Sequence, residues 1–171
     1  MITLYLVRHG QTVENIKRIF QGQLPGQLTQ EGIGQAHELH DKLLDIEFDM
    51  AVCSDLKRAT DTMDIIIEGH NLSYDTTVLL REIDWGSWTG LDIKSVDLNN
   101  FPPDVESREM LYERAVKMLE LLKSKYKGNV LVVGHGLINR SLQANIEGVQ
   151  LNNIKSVSMM NNCEVRVFNI E

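Results

Sequence analysis

The sequence is short of several features that would place it elsewhere. Its two cysteines, Cys53 and Cys163, form no C-x-x-C pair and are too few for a disulfide framework. Cys53 falls in the apolar run from Met50 to Cys53 and reads as a buried free thiol, which suits a reducing compartment. No hydrophobic stretch approaches the length that spans a bilayer. The apolar run from Met1 to Val7 is too short for a signal peptide and has no cleavage pattern. An excess of positive charge is also missing: 17 Lys and Arg stand against 24 Asp and Glu, a formal net charge of −7. Nucleic acids and anionic membranes need a positive face, so neither is expected as a partner, and a cytoplasmic location is expected. An anionic small substrate stays open, because a few arginines in a cleft make a local positive site. There is no repeat, low-complexity tract or linker, so residues 1–171 are read as one domain with a proper core.

Apolar runs alternate with amphipathic stretches. Ile2 to Val7 reads as a buried strand that breaks at Arg8-His9-Gly10. Thr29 caps a helix whose apolar face is Ile33, Ala36, Leu39 and Leu43. Met50 to Cys53 is a second strand. Ser54 or Asp55 is expected to cap the helix that follows, with Ala59, Met63, Ile66 and Ile67 inward. Thr77 to Leu80 is expected as a third strand, and Pro102-Pro103 as a loop. Ser107 opens a helix through Leu111, Ala115, Met118 and Leu122, and Val130 to Val133 is the most hydrophobic strand. Gly134-His135-Gly136 leads into a helix through Ile138, Leu142 and Ile146. The tail from Ser156 to Ile170 carries two β-like pieces on either side of Asn161-Asn162. This order predicts an α/β fold: a three-layer α/β/α sandwich with a mainly parallel central sheet and an antiparallel edge strand from the tail.

In such folds ligands bind beyond the carboxyl ends of the strands. The first strand ends in Arg8-His9-Gly10. The second ends in Ser54-Asp55, with Arg58 one turn into the next helix. The third ends in Leu80-Arg81-Glu82, and the fourth at His135. Arginine presents a planar, permanently charged fork that matches phosphate oxygens. A neutral imidazole can attack phosphorus and form a covalent intermediate. A carboxyl can protonate the leaving oxygen and then deprotonate water. With cationic side chains in the role that magnesium takes elsewhere, neither a metal nor another cofactor is called for. Taken singly, each part has a plainer explanation: Arg58 as a solvated helix residue, Glu82 as a loop carboxylate, His135 as a passenger in a Gly-x-Gly turn. Their placement at successive strand ends favours the chemical reading.

Larger blocks carry a family resemblance. Arg8-His9-Gly10-Gln11-Thr12 with Asn15, Gln21-Gly22, Leu28-Thr29-x-x-Gly32, Ser54-Asp55-Leu56-x-Arg58-Ala59-x-x-Thr62, Leu80-Arg81-Glu82-Ile83-Asp84-Trp85-Gly86-x-Trp88-x-Gly90 and Val133-Gly134-His135-Gly136 occur in order along the chain. Together they resemble the histidine phosphatase superfamily, the phosphoglycerate-mutase-like group. The resemblance implies that His9 is the residue phosphorylated, that Arg8, Asn15, Arg58 and His135 hold the phosphoryl oxygens, and that Glu82 is proton donor and then base. Asn15 enters only through the resemblance. Gln21, Gly22 and Trp85 are expected at the pocket rim, although core packing explains Trp85 and Trp88 equally well.

The departures concern substrate preference. Pro25, Gly26 and Gln27 differ from the family pattern in a loop expected to border the substrate entrance. The segment between Gly90 and Pro103 is short, whereas mutase members of the family carry a longer, more basic insertion there; this chain offers only Lys94. A phosphatase acting on a small phosphorylated metabolite or a phosphoprotein is therefore expected, with a phosphoglycerate mutase-type phosphotransferase as the alternative. A metal-dependent hydrolase and a non-catalytic phosphate binder are weaker competitors. His37 and His40, three apart on a helix, are read as a solvated face rather than a metal pair. His9 is expected to be neutral and His135 charged.

Overall fold

The computed structural model describes residues 1–171. Five strands form one sheet: β1 (Ile2–Arg8), β2 (Met50–Ser54), β3 (Tyr74–Thr77), β4 (Gly128–Gly134) and β5 (Val165–Ile170). Their spatial order is β3-β2-β4-β1-β5. All neighbours are parallel except β1 and β5, so the tail does supply the antiparallel edge. The helices are α1 (Val13–Lys17), α2 (Gln30–Leu43), α3 (Lys57–Ile66), α4 (Arg108–Lys125) and α5 (Gly136–Ile146).

The alternation of strand side chains sorts the core into two layers. Leu4 and Leu6 of β1, Val52 of β2, and Val130 and Val132 of β4 pack with α4 and α5. Val7, Ala51, Cys53, Leu131 and Val133 point the other way and pack with α2 and α3. Because β4 has helices on both faces, Val130 to Val133 are all fully buried, which is why the run is uninterrupted rather than alternating. Each such side chain contributes about 2 kcal/mol of transfer free energy. The three layers follow from this arrangement. No helix is long and apolar enough to cross a membrane.

Four local expectations need correction. The third strand ends at Thr77, where pairing with β2 stops at Ser54. The Thr77 hydroxyl then accepts the Leu79 N–H at 3.2 Å, and Val78–Leu80 turns as a 3-10 helix instead of continuing the ladder. Neither Ser54 nor Asp55 caps α3; Leu56 stands at that position with no side-chain cap. Asp55 instead pairs with Arg81 through two bonds of 2.7 and 2.6 Å. The first β-like tail piece forms no strand. The carbonyls of Ser158 and Met159 accept from Arg166, and that of Met160 from Arg8, so guanidinium groups take the place of a neighbouring strand. Finally, His40 is only partly solvated: its Nε2 donates to the Glu68 carbonyl at 2.8 Å, whereas His37 is exposed.

Candidate active site

β1 lies between β4 and β5, and Arg8 is in register with Gly134. The two chains leave the sheet side by side, with the His9 N–H bonded to the Gly134 carbonyl at 3.1 Å. The rings of His9 and His135 consequently meet edge to face, with centroids 5.1 Å apart. The loop after β1 is pressed against the start of α2. A Cβ on Gly10 would lie 2.7 Å from the Gly32 carbonyl oxygen, and one on Gly32 would lie 2.1 Å from that of Gln11. Only glycine allows so close a backbone approach.

His9 is only 2% exposed. Its Nδ1 sits 2.7 Å from the Gly10 carbonyl. A carbonyl can only accept, so Nδ1 carries the proton and Nε2 keeps its lone pair. Nε2 receives the Arg58 Nε–H at 3.3 Å. Burial, then the positive charge of Arg58, hold the His9 pKa well below its ordinary value. His135 is also pushed well down, by burial and then by Arg58. Both surroundings therefore disfavour the charged imidazole, in contrast to the charged His135 expected from the sequence, and neither ring has a carboxylate partner to offset desolvation. His135 Nε2 shares a 2.7 Å hydrogen bond with the Ser54 hydroxyl.

Arg58 is buried at the first turn of α3 and wrapped by the loop at residues 22–26. It donates to the carbonyls of Leu24 and Gly22. A Cβ on Gly26 would lie 2.8 Å from its Cδ, and Gly26 adopts φ +72°, so glycine serves both the turn and the contact. Pro25 and Gly26 therefore pack against an arginine that lines the cavity, and the Pro25 carbonyl accepts the Arg58 N–H at 2.9 Å. Burial lowers the Arg58 pKa to about 10, leaving it charged at neutral pH. Arg8 donates to the Met160 carbonyl at 2.6 Å.

Two buried nitrogens at the site have no hydrogen-bond partner within the protein: Arg8 Nε, which is a donor, and His135 Nδ1, on a ring that does not line the cavity. Buried donors are nearly always paired, and an anion oxygen would satisfy Arg8 Nε. Asn15 accepts from the Thr12 N–H through Oδ1 at 3.0 Å, closing a capping box at α1. Its amide lines the same cavity as His9, Arg8 and Arg58, a space of about 210 Å³. Gln21, Gly22 and Trp85 line it too. Glu82 completes the wall. Its carboxylate accepts the N–H groups of Leu137 (3.0 Å), Ile138 (3.2 Å) and Ile83 (3.0 Å), which fixes it at the N-terminus of α5. The set brings together two fixed positive charges, a neutral nitrogen nucleophile, an amide donor and a carboxyl. That combination suits a tetrahedral anion and transfer of a phosphoryl group. No group of three or more His, Cys, Asp or Glu side chains lies close enough together to hold a metal ion.

Three supporting residues have roles that the sequence does not assign. Ser54, expected as a helix cap, is the partner of His135. Asn162, which lies between the two β-like pieces of the tail, donates to the His9 carbonyl at 3.0 Å and approaches Asn15 Oδ1 at 3.4 Å. Arg114 of α4 donates to the carbonyls of Leu79, Arg81 and Glu82 and pairs with Glu106 through bonds of 3.0 and 2.9 Å. Glu106 also accepts the Asp84 N–H at 2.8 Å. The segment that carries Glu82 is thus clamped from α4, and nothing in the spacing of Arg114 announces it.

Residues 4–171 match the model of the histidine phosphatase superfamily, branch 1. The adenosylcobalamin/alpha-ribazole phosphatase of Salmonella typhimurium is 40% identical over 85 residues, which is 50% of this chain and only 42% of that protein. The protein of the same name from Escherichia coli is 29% identical over 161 residues, 85% of this chain and 79% of that one. Among solved structures, Bacillus stearothermophilus YhfR superposes with a TM-score of 0.92 at 27% identity, covering 100% of this chain and 92% of that one.

Proposed function

The chain belongs to the histidine phosphatase superfamily, and from that premise we propose that it hydrolyses phosphate monoesters through a covalent phosphohistidine at His9. The observation that carries this reading is the state of His9 itself: Nδ1 tied to a carbonyl, and Nε2 unprotonated beside Arg58 in the cavity.

In the first step His9 Nε2 attacks phosphorus and forms a P–N bond as the P–O bond to the alcohol breaks. Glu82, in its carboxylic acid form, gives its proton to the departing oxygen. In the second step Glu82, now a carboxylate, takes a proton from water. The water oxygen attacks phosphorus, the P–N bond breaks, and orthophosphate leaves with His9 neutral again. Arg8, Arg58, Asn15 and His135 bind the equatorial oxygens, whose charge grows in the transition state. The Arg58 Nε–H, which donates to the Nε2 lone pair at 3.3 Å, moves onto a phosphoryl oxygen as that lone pair attacks phosphorus. The cationic side chains supply this neutralisation, and the reaction needs no metal ion.

The mutase alternative is the weaker one. Between Gly90 and Pro103 the chain forms only a 3-10 turn, Ile93–Ser95. Lys94 does not line the cavity, and no cation beyond Arg8 and Arg58 does, so the site lacks the extra positive groups that retain a bisphosphate.

The test is acid-free denaturation of the enzyme during turnover of an aryl phosphate, followed by mass analysis. Wild type is expected to carry one acid-labile phosphoryl group on the peptide containing His9. His9→Ala is expected to carry none and to lose turnover. A mutant that still turns over removes His9 as the nucleophile.

A further inference from the structure

Apart from the groups that face the phosphoryl position, the cavity at His9 is walled by Ile19, Phe20, Trp85, Ile93 and Leu137. Trp85 is also a wall of a second cavity of about 460 Å³, formed with Ile83, Phe101, Pro102 and Val105. The two spaces meet at one indole.

The rings there form a continuous cluster. Phe20 lies 4.5 Å from Trp85 and 5.4 Å from Trp88, centroid to centroid. Trp85 and Trp88 are stacked at 6.5 Å, and Trp88 lies 4.9 Å from Phe101. The chain has only four Phe and two Trp. Four of those six are spent on this one patch, and Phe101 is left 45% exposed.

Glu82 lines the first cavity, and Ile83, the next residue, lines the second. An alcohol whose oxygen is protonated by Glu82 leaves within the cavity that Phe20 and Trp85 also wall. A second anionic group held against Ile19, Phe20, Trp85, Ile93 and Leu137 would lack a counter-ion, because the cations lining the His9 cavity, Arg8 and Arg58, face the phosphoryl group, and such burial is costly. The second cavity is lined by one arginine, Arg108, and two carboxylates, Glu106 and Glu109.

We infer that the aromatic wall from Phe20 through Trp85 to Phe101 is the leaving-group subsite, and that the preferred substrates are phosphate monoesters whose alcohol carries a flat apolar or aromatic group and no second anion. This inference rests on the phosphatase reading above.

Ethyl phosphate and 2-phenylethyl phosphate are esters of primary alcohols with similar leaving tendencies, so their comparison isolates the ring. Wild type is expected to favour the phenylethyl ester about ten-fold or more in kcat/KM, and to favour it over 3-phosphoglycerate. Phe101→Ala, a change at an exposed position, is expected to narrow the ratio. Equal kcat/KM for the two alkyl esters, 3-phosphoglycerate as the better substrate, or a ratio untouched by Phe101→Ala would overturn the inference. Binding is read separately. Trp85 and Trp88 are the only tryptophans, so intrinsic fluorescence of His9→Ala reports directly on the patch. A saturable change with 2-phenylethyl phosphate at concentrations where ethyl phosphate gives none is expected, and identical titrations would overturn the subsite. If neither ester is hydrolysed, or His9→Ala still hydrolyses them, the phosphatase reading falls, and the titration alone decides the subsite.

Discussion

The Nε of Arg58 stands 3.3 Å from Nε2 of His9, so a buried positive charge points at the lone pair of a buried imidazole. A second proton on that ring is doubly opposed, first by desolvation and then by the guanidinium.

This pairing sets the acid side of the pH–rate profile. With His9 held well below 6.5, activity is expected to persist through pH 6.5 and to fall only at distinctly lower pH. Replacing Arg58 by Gln removes the second cause of the shift. The acid limb of kcat/KM should move upward in pH, and the value at its maximum should fall by roughly 10²-fold or more through lost charge stabilisation. A limb that stays in place would show that Arg58 does not govern the imidazole.

Stability should follow the same two histidines. Below pH 6.5 the unfolded chain protonates His9 and His135, while the folded protein keeps both neutral. The unfolded state then binds more protons, so stability falls as pH drops from about 6.5 toward the depressed folded values. Each imidazole contributes about 1.4 kcal/mol per pH unit in that window. Urea unfolding at pH 7.5, 6.0 and 5.0 measures the slope, and His9→Gln should reduce it by about one proton.

The clamp from α4 should matter for folding. Arg114 and Glu106 are both largely buried and pair at 2.9 Å. Glu106→Ala leaves the guanidinium without its counter-charge and should cost about 3 kcal/mol, read as a lower urea midpoint with an unchanged slope. An effect below about 0.5 kcal/mol would mean that the three carbonyls of residues 79–82 satisfy Arg114 unaided.

Chelation should have no effect. If the two guanidinium groups neutralise the phosphoryl charge, dialysis against EDTA leaves kcat unchanged. Loss of activity with recovery on adding back a divalent cation would contradict the proposed mechanism.

Much of the site was legible because its chemistry sits directly after apolar runs. Arg8-His9 follows β1, Ser54 ends β2 and His135 follows β4, and the sheet rule brings such positions together. Glu82 and Arg58 lie a few residues further on and came with the same rule. What escaped was pairing between distant segments. Asp55 looks like a helix cap in the linear sequence, and only the fold reveals that Arg81 claims it. Thr77 to Leu80 has strand composition, but β2 offers no partner past Ser54. The aromatic patch joins residues 20, 85, 88 and 101, which no periodicity links. The shared neutrality of His9 and His135 is a property of burial, which composition does not display.

The strand that carries the proposed nucleophile is flanked by β4 and β5, which begin at Gly128 and Val165. On the ribosome β1 is therefore made before both of its neighbours and waits for them. A nascent chain halted before residue 128 holds His9 on an unpaired ribbon, and catalytic competence arrives as a late event of translation rather than growing with chain length.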